Sequence, residues 1–136
     1  MTGEDKATDY EIEVIDHVFD GYSFPSPPNT LYIALHNGDP TNDGDENEVS
    51  ASDYERIPVS ESDFTTSGSN PRRATNDVDI VSEEAESNWG TIDHISIWDS
   101  SDGGRCFYVG ETEEAQTIPA GDEFYIPEGL LDISED

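Results

Sequence analysis

The chain has 136 residues, with 33 Asp plus Glu against 5 Lys plus Arg and a formal charge of −28. So few cations exclude binding to a nucleic-acid backbone by counterion release, and so negative a chain is excluded from docking on an anionic membrane surface. The length predicts one domain with one modest core, and no apolar run approaches the ~20 residues of a membrane span or opens the chain as an export signal.

Residues 7–20 predict one helix. Val14, Ile15, Val18 and Phe19 form its apolar face, Thr8 or Asp9 stands as the cap, acids in the first turn favour the dipole, and Gly21 ends it. Beyond Pro25, Pro27 and Pro28 the period changes to two. Leu31, Ile33 and Leu35 alternate with Tyr32, Ala34 and His36, the pattern of a half-buried strand. Residues 38–52 are polar and acidic and read as a long exposed loop. Residues 54–59 read as a short strand and 60–70 as a Ser/Thr-rich connection. Strand-like runs recur at 74–81, 91–98, 105–110, 123–126 and 130–134, each bounded by Gly, Pro, Asn or Asp. Asp102-Gly103-Gly104 reads as a tight hairpin turn and Ala120-Gly121-Asp122 as another. The expected fold is mainly β, an antiparallel β-sandwich of about seven to nine strands with one N-terminal α-helix. Residues 1–28 would form the helix and a proline-rich connection, and residues 29–136 the sandwich. The helix would cover one sheet edge or dock onto a neighbouring subunit.

Hydrophobic residues make up 32% of the chain and aromatics 10%, in short even runs, so the acids decorate a folding chain and not a disordered tail. In molar salt the Debye length is only ~3 Å, which screens self-repulsion, and Lys6 is the single lysine beside four arginines; both fit a halophilic surface. Cys106 stands alone, without an intramolecular disulfide partner, and reads as a buried small hydrophobe. His17, His36 and His94 accompany no Gly-x-Ser-x-Gly elbow, and Ser and Asp are too abundant for their presence to identify a triad. The loop from Asp39 to Glu48 invites a calcium reading that fails on register. With Gly44 in sixth place the twelfth residue is Ser50, and a start at Asp43 puts Glu48 where Gly must stand. No catalytic residue, metal site or cofactor is predicted.

Two candidate surfaces remain. Asp39, Asn42, Asp43, Asp45 and Glu46 form the tip of a partner-facing loop, and residues 60–70 a second such loop. In the 91–98 strand Ile95 and Ile97 face one way, while His94, Ser96 and Trp98 face the other; Tyr32 and Tyr108 likewise project away from the apolar rows. Either that second face is an outer surface, which makes Tyr32, His94, Trp98 and Tyr108 candidate subunit contacts, or the strand is buried on both sides.

The order of segments is more specific than any one motif. Phe19-Asp20-Gly21 leads through prolines to Leu31-Tyr32-Ile33-Ala34-Leu35-His36, then Gly38-Asp39-Pro40-Thr41, Glu48-Val49-Ser50 and Tyr54-Glu55-Arg56. Trp89-Gly90-Thr91-Ile92-Asp93-His94, Ile97-Trp98-Asp99 and Gly103-Gly104 follow. The chain closes on Thr117-Ile118-Pro119-Ala120-Gly121-Asp122 and Gly129-Leu130-Leu131-Asp132-Ile133. From about Tyr10 to Asp136 this succession resembles a family of small virion proteins of tailed bacterial and archaeal viruses, described as tail fibre proteins. The chain departs from that pattern by carrying acids in place of small apolar and neutral residues, as at Asp63, Asp77, Asp79, Glu83, Glu84 and Glu86. The departure matches a virus of a halophilic archaeon.

The resemblance implies a homo-oligomeric structural component of the virion, assembled in the host cytoplasm and without catalytic residues. Tail fibre, tail tip, neck and capsid-vertex turret are the positions open to it. The partners it implies are further copies of itself, other virion proteins, and a host-surface glycan or protein reached by multivalent display. The competing reading is a carbohydrate-binding module of a halophilic secreted protein, monomeric, with exposed aromatics lining a groove.

Overall fold

The computed structural model describes residues 2–135, with side chains from Lys6 onward. Its elements in chain order are β1 (Thr2–Lys6), α1 (Thr8–Phe19), β2 (Thr30–His36), β3 (Ile57–Ser60), β4 (Phe64–Ser67), β5 (Arg72–Asn76), β6 (Ile80–Val81), β7 (Gly90–Trp98), β8 (Cys106–Ile118), β9 (Tyr125–Ile126) and β10 (Asp132–Glu135). The main sheet runs β1-β8-β7-β2-β3, a second sheet runs β10-β5-β4, and β6 pairs with β9. These pairings are antiparallel.

The period of β2 explains the layering. Alternation sends Leu31, Ile33 and Leu35 to one face, where Ile57, Val59, Ile92, Ile95 and Ile118 join them. Phe64, Leu131 and Ile133 from the second sheet and its approaches close that core, with Ile80, Phe124 and Ile126. Each fully enclosed aliphatic side chain there stabilises the fold by roughly 1.5–3 kcal/mol. The opposite face carries Tyr32 and Ala34, packed with Trp98, Cys106, Val109 and Ala7 in a smaller cluster.

The loop between β2 and β3, expected to stand in solvent, covers that second face. Pro40 and Gly44 are buried in it. Gly44 sits at φ +72°, where a Cβ would lie 2.8 Å from Cys106 Sγ and 3.1 Å from Trp98 Cζ2. Glycine alone fits both the backbone and the space. His36 ties the loop down, its Nδ1 donating to the Glu46 carbonyl at 2.8 Å. Strand β7 is therefore buried on both sides, and Trp98 is 6% exposed instead of lying on an outer surface.

Other elements depart from expectation for local reasons. β1 has no apolar alternation and is held by backbone pairing to β8, Asp5 opposite Val109 and Lys6 opposite Tyr108; it draws the first residues into the main sheet. β4 lies in the stretch read as a connection, Thr65 and Thr66 facing Thr75 and Ala74 of β5. The 74–81 run divides at Asn76, whose Nδ2 donates to the carbonyls of Val78 (2.8 Å) and Pro127 (3.0 Å) and whose Oδ1 accepts from the Leu131 N–H. β8 continues past the predicted run, through a bulge where its register with β7 shifts between Ile92 and His94. The strand predicted at 54–59 starts later, at Ile57, and ends at Ser60, because Tyr54 and Arg56 are engaged elsewhere. The fold is the expected one, mainly β with antiparallel sheets and one N-terminal helix; ten strands are described, β6 and β9 being of two residues each. The helix cap is Ala7, without a side-chain bond, in place of Thr8 or Asp9; the Thr8 N–H donates to the Asn42 carbonyl at 2.8 Å.

Candidate functional site

The N-terminal helix turns most of its predicted apolar face away from the sheet. Its inner side is Tyr10 and Glu13. The Tyr10 ring meets Phe107 and Tyr108 edge-on at 5.5 and 5.8 Å, and Glu13 pairs with Arg105 at 3.3 Å. The Ala7 N–H donates to the Phe107 carbonyl at 2.8 Å, which fixes where the helix starts and so which face turns inward. Ile12, Ile15, Val18 and Phe19 consequently face solvent, 54, 57, 64 and 79% exposed. They fall on one stripe, at helical spacing.

The segment after the helix extends this surface. Gly21, at φ +71°, turns the chain out of the helix. His17 Nδ1 then donates to the Tyr22 carbonyl at 2.7 Å, and the Phe24 ring lies 4.7 Å from the His17 ring and 6.2 Å from Tyr10. Residues 21–27 are all exposed, and no Asp, Glu, Lys or Arg occurs from Gly21 to Gly38. The apolar stripe, with exposed Glu11 beside it, thus adjoins a strap without charge on a chain where about one residue in four is acidic.

The residues nominated from the sequence are not gathered into one place. Tyr32 and Trp98 are cross-strand neighbours on the covered face. Trp98 donates from Nε1 to Ser96 Oγ at 2.6 Å and lies 4.2 Å beneath the Arg56 guanidinium. Tyr108 sits on the other face, its hydroxyl donating to Glu135 at 2.7 Å; burial, then that carboxylate, push its pKa up. His94 is half-buried against Asp93 at 2.8 Å. Asp39, Asn42, Asp43, Asp45 and Glu46 do point outward, on a loop whose backbone is anchored.

Sequence reasoning missed the Arg56 pin. Nε and Nη2 donate to the two oxygens of Glu48, both at 3.1 Å, and Nη1 donates to the Ser100 and Gly103 carbonyls at 3.0 and 2.9 Å. The Tyr54 hydroxyl also donates to Glu48, at 2.8 Å, and accepts from the Leu35 N–H. Burial alone would raise the Glu48 pKa, but the bonds from Arg56 and Tyr54 outweigh it and hold it below the ordinary value. A rare cation surrounded by acids was the available signal. A cleft of about 550 Å³ opens over this pin, with Tyr32 and Asp102 in its walls.

One pair has the spacing of catalysis without its access. His36 Nε2 lies 2.7 Å from Ser96 Oγ, as a base lies from a nucleophile. Both side chains are fully enclosed, and the Nδ1 of His36 is spent on a backbone carbonyl. Burial lowers the His36 pKa, so the ring stays neutral within a packing network. Burial likewise pushes the Cys106 thiol up to about 12, far from a reactive thiolate. Among the described residues no group of three or more His, Cys, Asp and Glu side chains is placed to hold a metal ion.

The fold is that of an antiparallel β domain with an apolar helix stripe left open to solvent. Residues 6–134 match the family described as podophage GP4 fiber I protein gp80, and the chain belongs to that family. It is a phage fibre protein, a structural component of the virion. No curated protein matches the chain.

Proposed function

We propose that the chain is a homo-oligomeric fibre subunit whose copies meet through the helix stripe and the strap, in a virus of a halophilic archaeon. Tail fibre, tail tip and capsid-vertex turret are all positions such a subunit would fill, with other virion proteins as its remaining partners. One observation carries the reading: Ile15, Val18 and Phe19 are each more than half exposed on the helix, beside a strap without charged residues from Gly21 onward, on a chain of charge −28. Copies so charged repel wherever acidic surfaces meet, so contact between them is favoured where charge is absent. Interface cores are depleted of charge and rich in aromatic anchors, as Phe19, Tyr22 and Phe24 are here. The isologous or cyclic symmetry of most homo-oligomers lets one patch serve every copy.

Light scattering in molar KCl tests this. The expected result is an oligomer at micromolar concentration that Phe19→Asp or Ile15→Asp converts to folded monomer, because a buried carboxylate removes the contact and adds repulsion. A wild-type chain that remains strictly monomeric would overturn it.

A further inference from the structure

The second face of the main sheet has its own small core, Ala7, Ala34, Trp98, Cys106 and Val109, distinct from the larger one. Its cover, residues 38–47, buries only Pro40 and Gly44. That cover is strained. Thr41 stands at φ 60° and Asn47 at φ 61°, and left-handed backbone is costly for a β-branched residue such as Thr41. Such a conformation persists only where surrounding contacts impose it. The contacts include the Thr8 N–H to the Asn42 carbonyl, the Asn37 N–H to the Asn47 carbonyl, and His36 Nδ1 to the Glu46 carbonyl. Of these donors only His36 titrates near neutral pH. With Nδ1 donating, Nε2 accepts from the Ser96 hydroxyl at 2.7 Å, and Ser96 Oγ accepts from Trp98 Nε1 at 2.6 Å. A proton on Nε2 turns this acceptor into a donor, takes away the acceptor of the Ser96 hydroxyl, and places a cation on a side chain with 0% exposure. The charged neighbours do not rescue it. Glu48 favours the charged ring but is already paired with Arg56, while Arg56 and His94 oppose it, and burial outweighs Glu48. His94 lies directly across from His36, bonded to Asp93, with Glu111 opposite it on β8.

We infer that residues 38–47 are an acid-released cover: a proton on His36 is accommodated by lifting these residues off the sheet, which opens Trp98 and Cys106 to solvent while the larger core stays closed. Lifting hydrates the charged ring and relaxes Thr41, so two separate costs of the closed form disappear together. The opening is local because the cover contributes polar residues and two small buried ones, while Val49, at its far end, packs in the larger core and stays there. Release also breaks the bond from Thr8 to Asn42 and frees the start of α1, the element proposed to join copies. That last consequence rests on the assembly reading; the release itself does not.

Cys106, the chain's single cysteine, is 0% exposed beneath Gly44 and reports the opening. The full chain in molar KCl is reacted with 4,4′-dithiodipyridine, a disulfide that thiols attack even in acid, and each rate is divided by that of the unfolded chain at the same pH. The relative rate is expected to rise roughly tenfold or more as pH falls from 6.5 to about 5, because the open form binds the His36 proton more tightly. The β signal in circular dichroism should persist through the rise. His36→Asn should abolish the rise and His94→Gln should keep it. Thr41→Gly, which removes strain from the closed form, should slow labelling at every pH and gives a second variant should His36→Asn fail to fold. A wild-type rate that does not change with pH would overturn the inference. So would loss of the β signal in step with labelling, or a rise that His36→Asn retains or His94→Gln abolishes. Acid-released labelling with unchanged light scattering supports the cover and counts against the role of α1 in joining copies.

Discussion

Gly44 and Arg56 show how single residues hold the covered face of the sheet. Gly44→Ala would combine a left-handed φ of +72° with a Cβ at 2.8 Å from a buried sulfur. A loss of roughly 1–3 kcal/mol is expected, read as a lower melting temperature. Arg56→Ala would leave Glu48 half-enclosed without its partner, and expose one face of Trp98; about 3–5 kcal/mol is expected from the first effect when it is fully buried, and less here because Glu48 is 26% exposed. His36 adds a pH dependence. Burial lowers its folded pKa below the ordinary 6.5, so the folded state binds fewer protons than the unfolded one. Its contribution is fully present above pH 6.5 and is lost as pH falls through the folded value. Denaturant melts across that range should show the loss, and His36→Asn should flatten it.

At the scale of elements, what the sequence made legible was what alternation encodes. β2 and β7 carry period-two rows of Ile and Leu, and the structure places them as expected, paired Ile33 to Ile97 and Leu35 to Ile95. β1 and β4 were illegible because neither Thr-Gly-Glu-Asp-Lys nor Phe-Thr-Thr-Ser carries an apolar alternation, and backbone pairing, which no side-chain pattern reports, places them in their sheets. The helix was legible as an element, but its docking was not. An apolar stripe ordinarily turns inward, and here Ile15, Val18 and Phe19 turn out because Ala7, Tyr10 and Glu13 are the fixed points. The face of Trp98 was left between two readings because its cover, a polar loop with buried Pro40 and Gly44, carries no apolar run. For the same reason the charge-depleted strap was legible only as prolines. Deleting its apolar character is informative. Phe24→Ser should leave the fold intact, since Phe24 is 39% exposed, while weakening self-association in the scattering experiment.

The whole molecule combines a β-sandwich of modest core with 33 acids, and that combination ties stability to solvent. Self-repulsion among carboxylates spaced over one small surface is long-ranged in dilute buffer, where the Debye length is ~30 Å at 0.01 M, and is confined to contact in molar salt. Circular dichroism should therefore show the β signal and a cooperative melt in molar KCl, with both diminished on dilution of the salt; an unchanged melt in dilute buffer would contradict the halophilic reading. The proposed assembly follows the same logic, because the strap from Gly21 to Gly38 holds no charged residue and the helix stripe beside it is apolar. Electron cryomicroscopy of the virus particle tests that claim most directly. The account predicts symmetry-related copies with Ile15, Phe19 and Phe24 enclosed between them. Copies standing apart, with α1 facing solvent along its apolar stripe, would contradict it.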